Sequence, residues 1–195
     1  AGAVNGISGL VYRSIRGVTR ALGGGIDVVL AKLAPLLGQM ESSPKRDALV
    51  AALNGVLGDY LAESGNPLAI TMHVRIDGRP LEPAREQLTA MRPASKIVVL
   101  VHGLCMNDLQ WLREGHDHGA ALARDLGYAP VYVRYNTGLH ISTNGRAFAG
   151  LLEQLVKAWP VPVEDLVIVG HSMGGLVARS ADWHGRAAGH AWPSR

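Results

Sequence analysis

Aromatic residues are scarce, at 5% of 195 positions, with one phenylalanine among them. A core must therefore be built from Leu, Val, Ile and Ala, and a hydrophobic content of 48% is ample for that. Cysteine occurs once, at Cys105. No intramolecular disulfide can form, and nothing points to an oxidising compartment, so the expected location is cytoplasmic. Beside an apolar strand, the lone Cys105 reads as a small buried hydrophobe rather than a reactive thiol. No CxxC or HExxH spacing offers a metal site, and no organic cofactor is implied. No apolar run reaches the ~18 residues of a membrane span. No charged start with an apolar core and cleavage site opens the chain. The first residue is Ala1 rather than Met, which leaves open whether the natural start is present. Charged residues make up only 18%, and the net charge of +3 is evenly spread. Without a Lys/Arg run or interleaved aromatics, nucleic acid is not an expected partner.

The informative stretch runs from Asp165 to Arg179. Leu166-Val167-Ile168-Val169 is an apolar, β-branched run without alternation, the pattern of a strand buried on both faces of a parallel sheet. Gly170 stops it, and from Met173 the spacing turns helical through Leu176, Val177, Ser180 and Ala181. Ser172 thus sits on a sharp strand-to-helix corner, in the pattern Gly170-x-Ser172-x-Gly174 of a nucleophile elbow. Residues two before and two after such a serine come too close for a Cβ, so glycine fits there. The helix that follows aims its N-terminal amides at the hydroxyl, and an oxyanion beside Ser172 would meet the N–H of Met173. With 24 glycines the bare pattern is weakly specific, but strand and helix both stand where it needs them.

A second buried strand, Lys96 to Val101, ends in His102-Gly103-Leu104. Together with Gly170-His171-Ser172-Met173-Gly174-Gly175, this resembles the lipases and esterases of the α/β-hydrolase superfamily. It looks most like bacterial lipase-type proteins and the GPI inositol-deacylase-like group. The resemblance covers about residues 70 to 188. It implies an α/β-hydrolase fold with a partial, mainly parallel sheet and helices on both faces. It also implies a serine hydrolase of carboxylic esters, acting on a small ester or a lipid. By the resemblance the loop after Val101 gives the second oxyanion amide, the backbone N–H of Leu104, with His102 and Gly103 supporting the loop and His171 flanking the nucleophile.

The rest of the chain divides into a helical appendage, residues 1–66, and the hydrolase-like part, residues 67–195. Apolar stripes predict helices from Val4 to Leu22 and from Ile26 to Leu37. A third helix starts at Ser43-Pro44, with Leu49, Leu53, Val56, Tyr60 and Leu61 as its buried face. The plain reading is an appendage packed on the main domain or a second copy; the sharper one is a basic amphipathic surface for lipid, a peripheral membrane contact. Ile70 to Ile76 alternates and meets Asp77-Gly78, predicting an antiparallel hairpin. A helix is expected from Asn107 to Leu126, ended by Gly127, with His116 and His118 on a solvated face. Ala129 to Tyr135 reads as a parallel strand. Tyr135, Asn136 and His140 are candidate substrate contacts, because loops at that sheet end line the site. Ser142 or Thr143 is the expected cap of a helix burying Phe148, Leu151, Leu152, Leu155 and Val156.

A serine nucleophile needs a base and an orienter. In the resembling superfamily they follow the serine as acid, then His. Here 23 residues follow Ser172. Asp182 lies on the same helix, about 15 Å along its axis; His184 is farther, His190 would have to fold back, and His171 points away around the corner. The expectation is a fragment whose triad is completed beyond residue 195. The alternative is a catalytically incomplete hydrolase-like binding or membrane-associated module. Without later strands, Leu166 to Val169 would present an uncovered apolar edge. Amide or thioester substrates need the same nucleophile and stay open.

Overall fold

The computed structural model describes residues 43–76, 79–81, 88 and 94–195. The two N-terminal helices expected before residue 42, the Asp77-Gly78 turn and residues 82–87 and 89–93 lie outside the described residues. The chain forms two compact units: one comprises residues 1–70, 104–107 and 136–139, the other 71–103, 108–135 and 140–195.

In the first unit, α1 (Pro44–Glu63) begins where expected. The Ser43 hydroxyl accepts from the Arg46 amide at 3.3 Å, and Pro44 sits in the first turn, where its missing N–H costs nothing. The helix is kinked at Leu57. Its buried face is wider than the expected stripe and includes Ala48, Val50, Ala51 and Asn54, whereas Leu49, Val56 and Tyr60 are half-buried. Fully buried Asn54 holds the chain beyond the helix: its amide donates to the Val50 and Leu68 carbonyls at 2.9 and 2.7 Å, and its Oδ1 accepts from Ile70 at 2.8 Å. Val50, Leu53, Leu57, Leu61 and Leu68 close a small apolar cluster around it.

The second unit is mixed α/β with a mostly parallel sheet. In chain order its strands are β1 (His73–Ile76), β2 (Arg79–Leu81), β3 (Lys96–Val101), β4 (Leu112–Arg113), β5 (His116–Asp117), β6 (Ala129–Arg134) and β7 (Asp165–Gly170). Five form one sheet in the order β2-β1-β6-β3-β7. The expected hairpin β1–β2 is antiparallel, and β1 also pairs antiparallel with β6. β6, β3 and β7 are parallel, with Val101 opposite Val133 on one side and Gly170 on the other.

Among the described residues, three complete helices cover this sheet: α2 (His118–Leu126), α3 (Ile141–Ala158) and α4 (Met173–Ala187). The chain steps from β3 one way to β6, then back across β3 to β7. Right-handed crossovers then require helices on opposite faces. α2 lies on the Pro130 and Tyr132 face, where Gly119 allows its close approach. α3 and α4 lie on the other: Phe148, Leu152 and Leu155 of α3 and Val177 and Ala181 of α4 form one core with Ile97, Val99, Val101, Val131 and Val133. Trp192, at 3% exposure, joins this core beside Gly185.

Three expectations are corrected. The helix expected over 107–126 is only its last half. Before it come a 3-10 turn (Asp108–Trp111) and the two-residue hairpin β4–β5. Its turn residues Glu114 and Gly115 have φ of 53° and 80°, the positive pair that a tight hairpin turn needs. Asp117 caps α2 by accepting from the Ala120 amide, and Gly127 at φ 73° ends it as expected. Second, α3 is preceded by His140, with no side-chain cap; Ser142 and Thr143 lie inside its first turn. Third, β7 is not buried on both faces: Val167 is 36% exposed, although the strand does lie at an edge of the described sheet, as expected for Leu166 to Val169 without later strands. No described helix is long and apolar enough to cross a membrane.

Candidate active site

The parallel register brings the ends of β3 and β7 level, and the two strands exit to helices on opposite faces. That is where open α/β sheets leave a crevice at their carboxyl ends. From β7 the chain turns directly into α4, with Ser172 at the corner as the residue before the helix. Its backbone stands at φ 52°, ψ −121°, a conformation that L-residues avoid and that costs on the order of 1–3 kcal/mol. The turn is held by backbone bonds: His171 N–H to the Val101 carbonyl at 2.9 Å, Gly174 N–H to His171 at 2.9 Å and Gly175 N–H to Ser172 at 3.0 Å. The strain at Ser172 is thus over-determined by its neighbours, and the serine side is exposed.

Both elbow glycines are demanded sterically. A Cβ on Gly170 would lie 2.6 Å from the Gly175 nitrogen, and one on Gly174 would press on the carbonyls of Val101 and His102, the latter at 2.8 Å. Gly175, one residue on, has nothing nearer than 4.0 Å. Gly103, in the loop after β3, fits against the elbow for the same reason: its Cβ would stand 2.9 Å from His171 Nδ1 and 3.2 Å from Ser172 Cβ. The β3 exit loop and the serine corner therefore lie at the same rim of the sheet. The backbone N–H of Met173 takes no hydrogen bond among the described residues, and neither does that of Leu104, which belongs to the first unit.

The chain matches no family model, no curated protein and no solved structure.

His102 is 1% exposed, packed flat on Tyr135 with ring centroids 4.5 Å apart. Burial lowers its pKa to about 4, outweighing the bond to the Gly103 carbonyl that raises it, and Arg134 and His171 lower it a little further. The ring is therefore neutral near pH 7. Its Nδ1 lies 3.0 Å from the Gly103 carbonyl oxygen. A carbonyl only accepts, so Nδ1 carries the proton and Nε2 is a bare acceptor. Nε2 is buried with no partner among the described residues.

The three residues read as substrate contacts are placed differently from one another. Tyr135 is buried, and its hydroxyl donates to the His102 carbonyl at 2.7 Å. Burial pushes that phenol well above its usual range. Asn136 is buried in the first unit, donating to the Gly58 carbonyl at 2.8 Å and accepting from the Gly138 amide at 3.0 Å. Both are committed to holding backbone. His140 is exposed at the start of α3.

Asp182 and His184, which follow Ser172, are also engaged elsewhere. Asp182 pairs with Arg186 at 2.9 Å, and His184 Nε2 lies 3.3 Å from Ser142 Oγ. His190 follows the end of α4, its amide donating to Gly185. Among the described residues no side chain hydrogen-bonds the Ser172 hydroxyl. No group of three potential metal ligands occurs among them either.

One constellation was not legible in the sequence. Asp108, at the start of the 3-10 turn, lies 3.1 Å from Arg75 of β1 and 3.9 Å from Arg134 of β6, all three buried. Arg75 and Arg134 sit on paired strands, so only the antiparallel register could have revealed them as neighbours.

Proposed function

We propose that the chain carries the nucleophile of a serine ester hydrolase of the α/β-hydrolase, lipase or esterase type. Ser172 Oγ attacks the carbonyl carbon of a carboxylic ester. The carbonyl π pair moves to oxygen, and the oxyanion is met by the amide of Met173, which donates no hydrogen bond among the described residues. The proton that the Ser172 hydroxyl gives up on attack passes to the leaving oxygen, so collapse of the intermediate expels the alcohol and leaves an acyl-serine, which water then hydrolyses to the acid and free serine. Half-buried Met173 and exposed Leu176, in the first turn of α4, offer apolar surroundings suited to an acyl chain. No metal or organic cofactor enters this scheme.

The observation that carries the reading is the strained Ser172 backbone, φ 52° and ψ −121°, between two sterically obligate glycines and beside Gly103. A protein retains such a conformation where the surrounding structure over-determines it, and such places cluster at reactive sites. A second reading rests on the Ser172 hydroxyl, which no side chain hydrogen-bonds among the described residues: without a base delivered to it, the same fold acts as a binding module. An alkyl fluorophosphonate separates the two, because it labels only an activated serine. Stoichiometric labelling that Ser172→Ala abolishes supports the hydrolase reading. No labelling at any probe concentration supports the module.

A further inference from the structure

The helix α4 has two contrasting faces. Gly174, Val177, Ala181 and Gly185 are buried within the second unit. On the opposite side Leu176, Arg179, Trp183 and Arg186 recur at spacings of three, four and three, so they share one stripe. That stripe is open: Leu176 is 54% exposed, Trp183 67%, and both arginines are exposed. A lone surface leucine needs no explanation. A tryptophan with two thirds of its surface in water, aligned with a leucine along one helix, points to a contact.

The charge on this side has one sign. Asp182 is the only acid in α4, and it is committed to Arg186 at 2.9 Å. Arg179 has no ion-pair partner among the described residues. Trp183 meets the His184 ring edge-on with centroids 4.8 Å apart, and His184 Nε2 lies 3.3 Å from Ser142 Oγ of α3. Ser142 in turn lines a cavity of about 310 Å³ with Thr143, Ala147 and Arg146. Arg146 likewise has no ion-pair partner among the described residues. Next to the tryptophan, therefore, the surface offers two hydroxyls and a second cation that no acid neutralises.

We infer that the open stripe of α4, with the cavity at the start of α3, docks on an anionic phospholipid surface. Trp183 and Leu176 sit at the boundary of headgroups and acyl chains, where an indole keeps its apolar body out of water and its N–H in contact with polar groups. Arg179 and Arg146 meet the lipid phosphates. A second copy of the chain fits this face less well. Two such stripes packed across a twofold axis would set Arg179 near its own counterpart, with no uncommitted acid on the helix to separate them. The inference goes beyond the hydrolase reading and does not depend on it.

The test is co-sedimentation with vesicles of phosphatidylcholine alone and of phosphatidylcholine mixed with phosphatidylglycerol. The chain should bind the mixed vesicles, bind phosphatidylcholine weakly, and lose binding as salt is raised. Arg179→Gln and Arg146→Gln should each weaken binding to the mixed vesicles about fivefold, the contribution of one cation near an anionic surface. Trp183→Ser should weaken it at least as much. All three side chains are exposed, so the variants should melt like the wild type by circular dichroism; if one does not fold, the other two decide. No sedimentation of the wild type with mixed vesicles, or unchanged binding by the folded variants, would overturn the inference. So would a dimer in light scattering that Trp183→Ser dissolves, because the face would then belong to a second copy. Ser172→Ala should sediment as the wild type does, so failure of the docking face and failure of the hydrolase reading are told apart.

Discussion

Adjacent glycines at the start of α4 should respond to the same substitution with opposite signs. In Gly174→Ala the new methyl meets the carbonyls of Val101 and His102, the latter at 2.8 Å, where ordinary contact begins near 3.4 Å. Neither oxygen is free to retreat. Val101 lies in β3, which is paired on both sides, and accepts the His171 amide at 2.9 Å; His102 accepts the Tyr135 hydroxyl at 2.7 Å. The helix must then lift from β3 by roughly half an ångström or more, disturbing the contacts of Val177 and Ala181 with the sheet. Overpacking of this kind costs about 1–3 kcal/mol, and two fixed backbone atoms place it in the upper half of that range. At about 2 kcal/mol, the melting temperature of a chain this size falls by about 4–8 °C. In Gly175→Ala the methyl has nothing nearer than 4.0 Å, and alanine is the better helix former by about 0.5–1 kcal/mol. That variant should melt at or slightly above the wild-type temperature. Thermal unfolding followed by circular dichroism compares the two directly. Equal melting temperatures for the two variants would show that the close approach of α4 to β3 is wrong.

Two further outcomes follow from the charges. Asp108→Asn removes the carboxylate between the buried guanidinium groups of Arg75 and Arg134 and should cost about 3–5 kcal/mol, read from the urea midpoint; a change below about 1 kcal/mol would refute the ion pairing. Glu153 is held below its ordinary value: burial opposes the shift, but Lys157 and the Ala191 and Trp192 amides outweigh it. A depressed carboxyl stabilises the fold above its unfolded pKa and loses that contribution as pH falls through the folded one. Hydrogen exchange at the Ala191 amide should therefore accelerate as pH drops below the ordinary Glu range, beyond the intrinsic pH dependence; in Glu153→Gln this extra acceleration should vanish, and its persistence there would contradict the tether.

The parts that were readable in the sequence share a cause. The strand–corner–helix at Ser172, the hairpin flanking Asp77-Gly78, the Ser43-Pro44 start of α1 and the Gly127 end of α2 are each decided by local sterics or by apolar period. The misread parts depend on something non-local or on an unusual choice. Glu114-Gly115 makes a tight hairpin turn with Glu where Asn or Asp is usual, so a run of polar residues looked like helix. His140 precedes α3 without a side-chain cap, while Ser142 and Thr143 offered an attractive but unused one. β7 reads as a strand buried on both faces and is only partly buried, because composition reports apolarity and not how much of a strand its neighbours cover; its edge position was expected. Tyr135 could be placed at the active rim from its strand position, but not the direction of its hydroxyl, which turns inward to the His102 carbonyl.

The central claim is that Ser172 is an acyl acceptor at the corner of β7 and α4. Its most direct test is mass spectrometry of the protein quenched after mixing with p-nitrophenyl acetate. One acetyl group on the Ser172 peptide, formed in step with one equivalent of p-nitrophenolate and absent in Ser172→Ala, is the result expected. Phenolate release with the acetyl on lysine or histidine, or unchanged by Ser172→Ala, would contradict it.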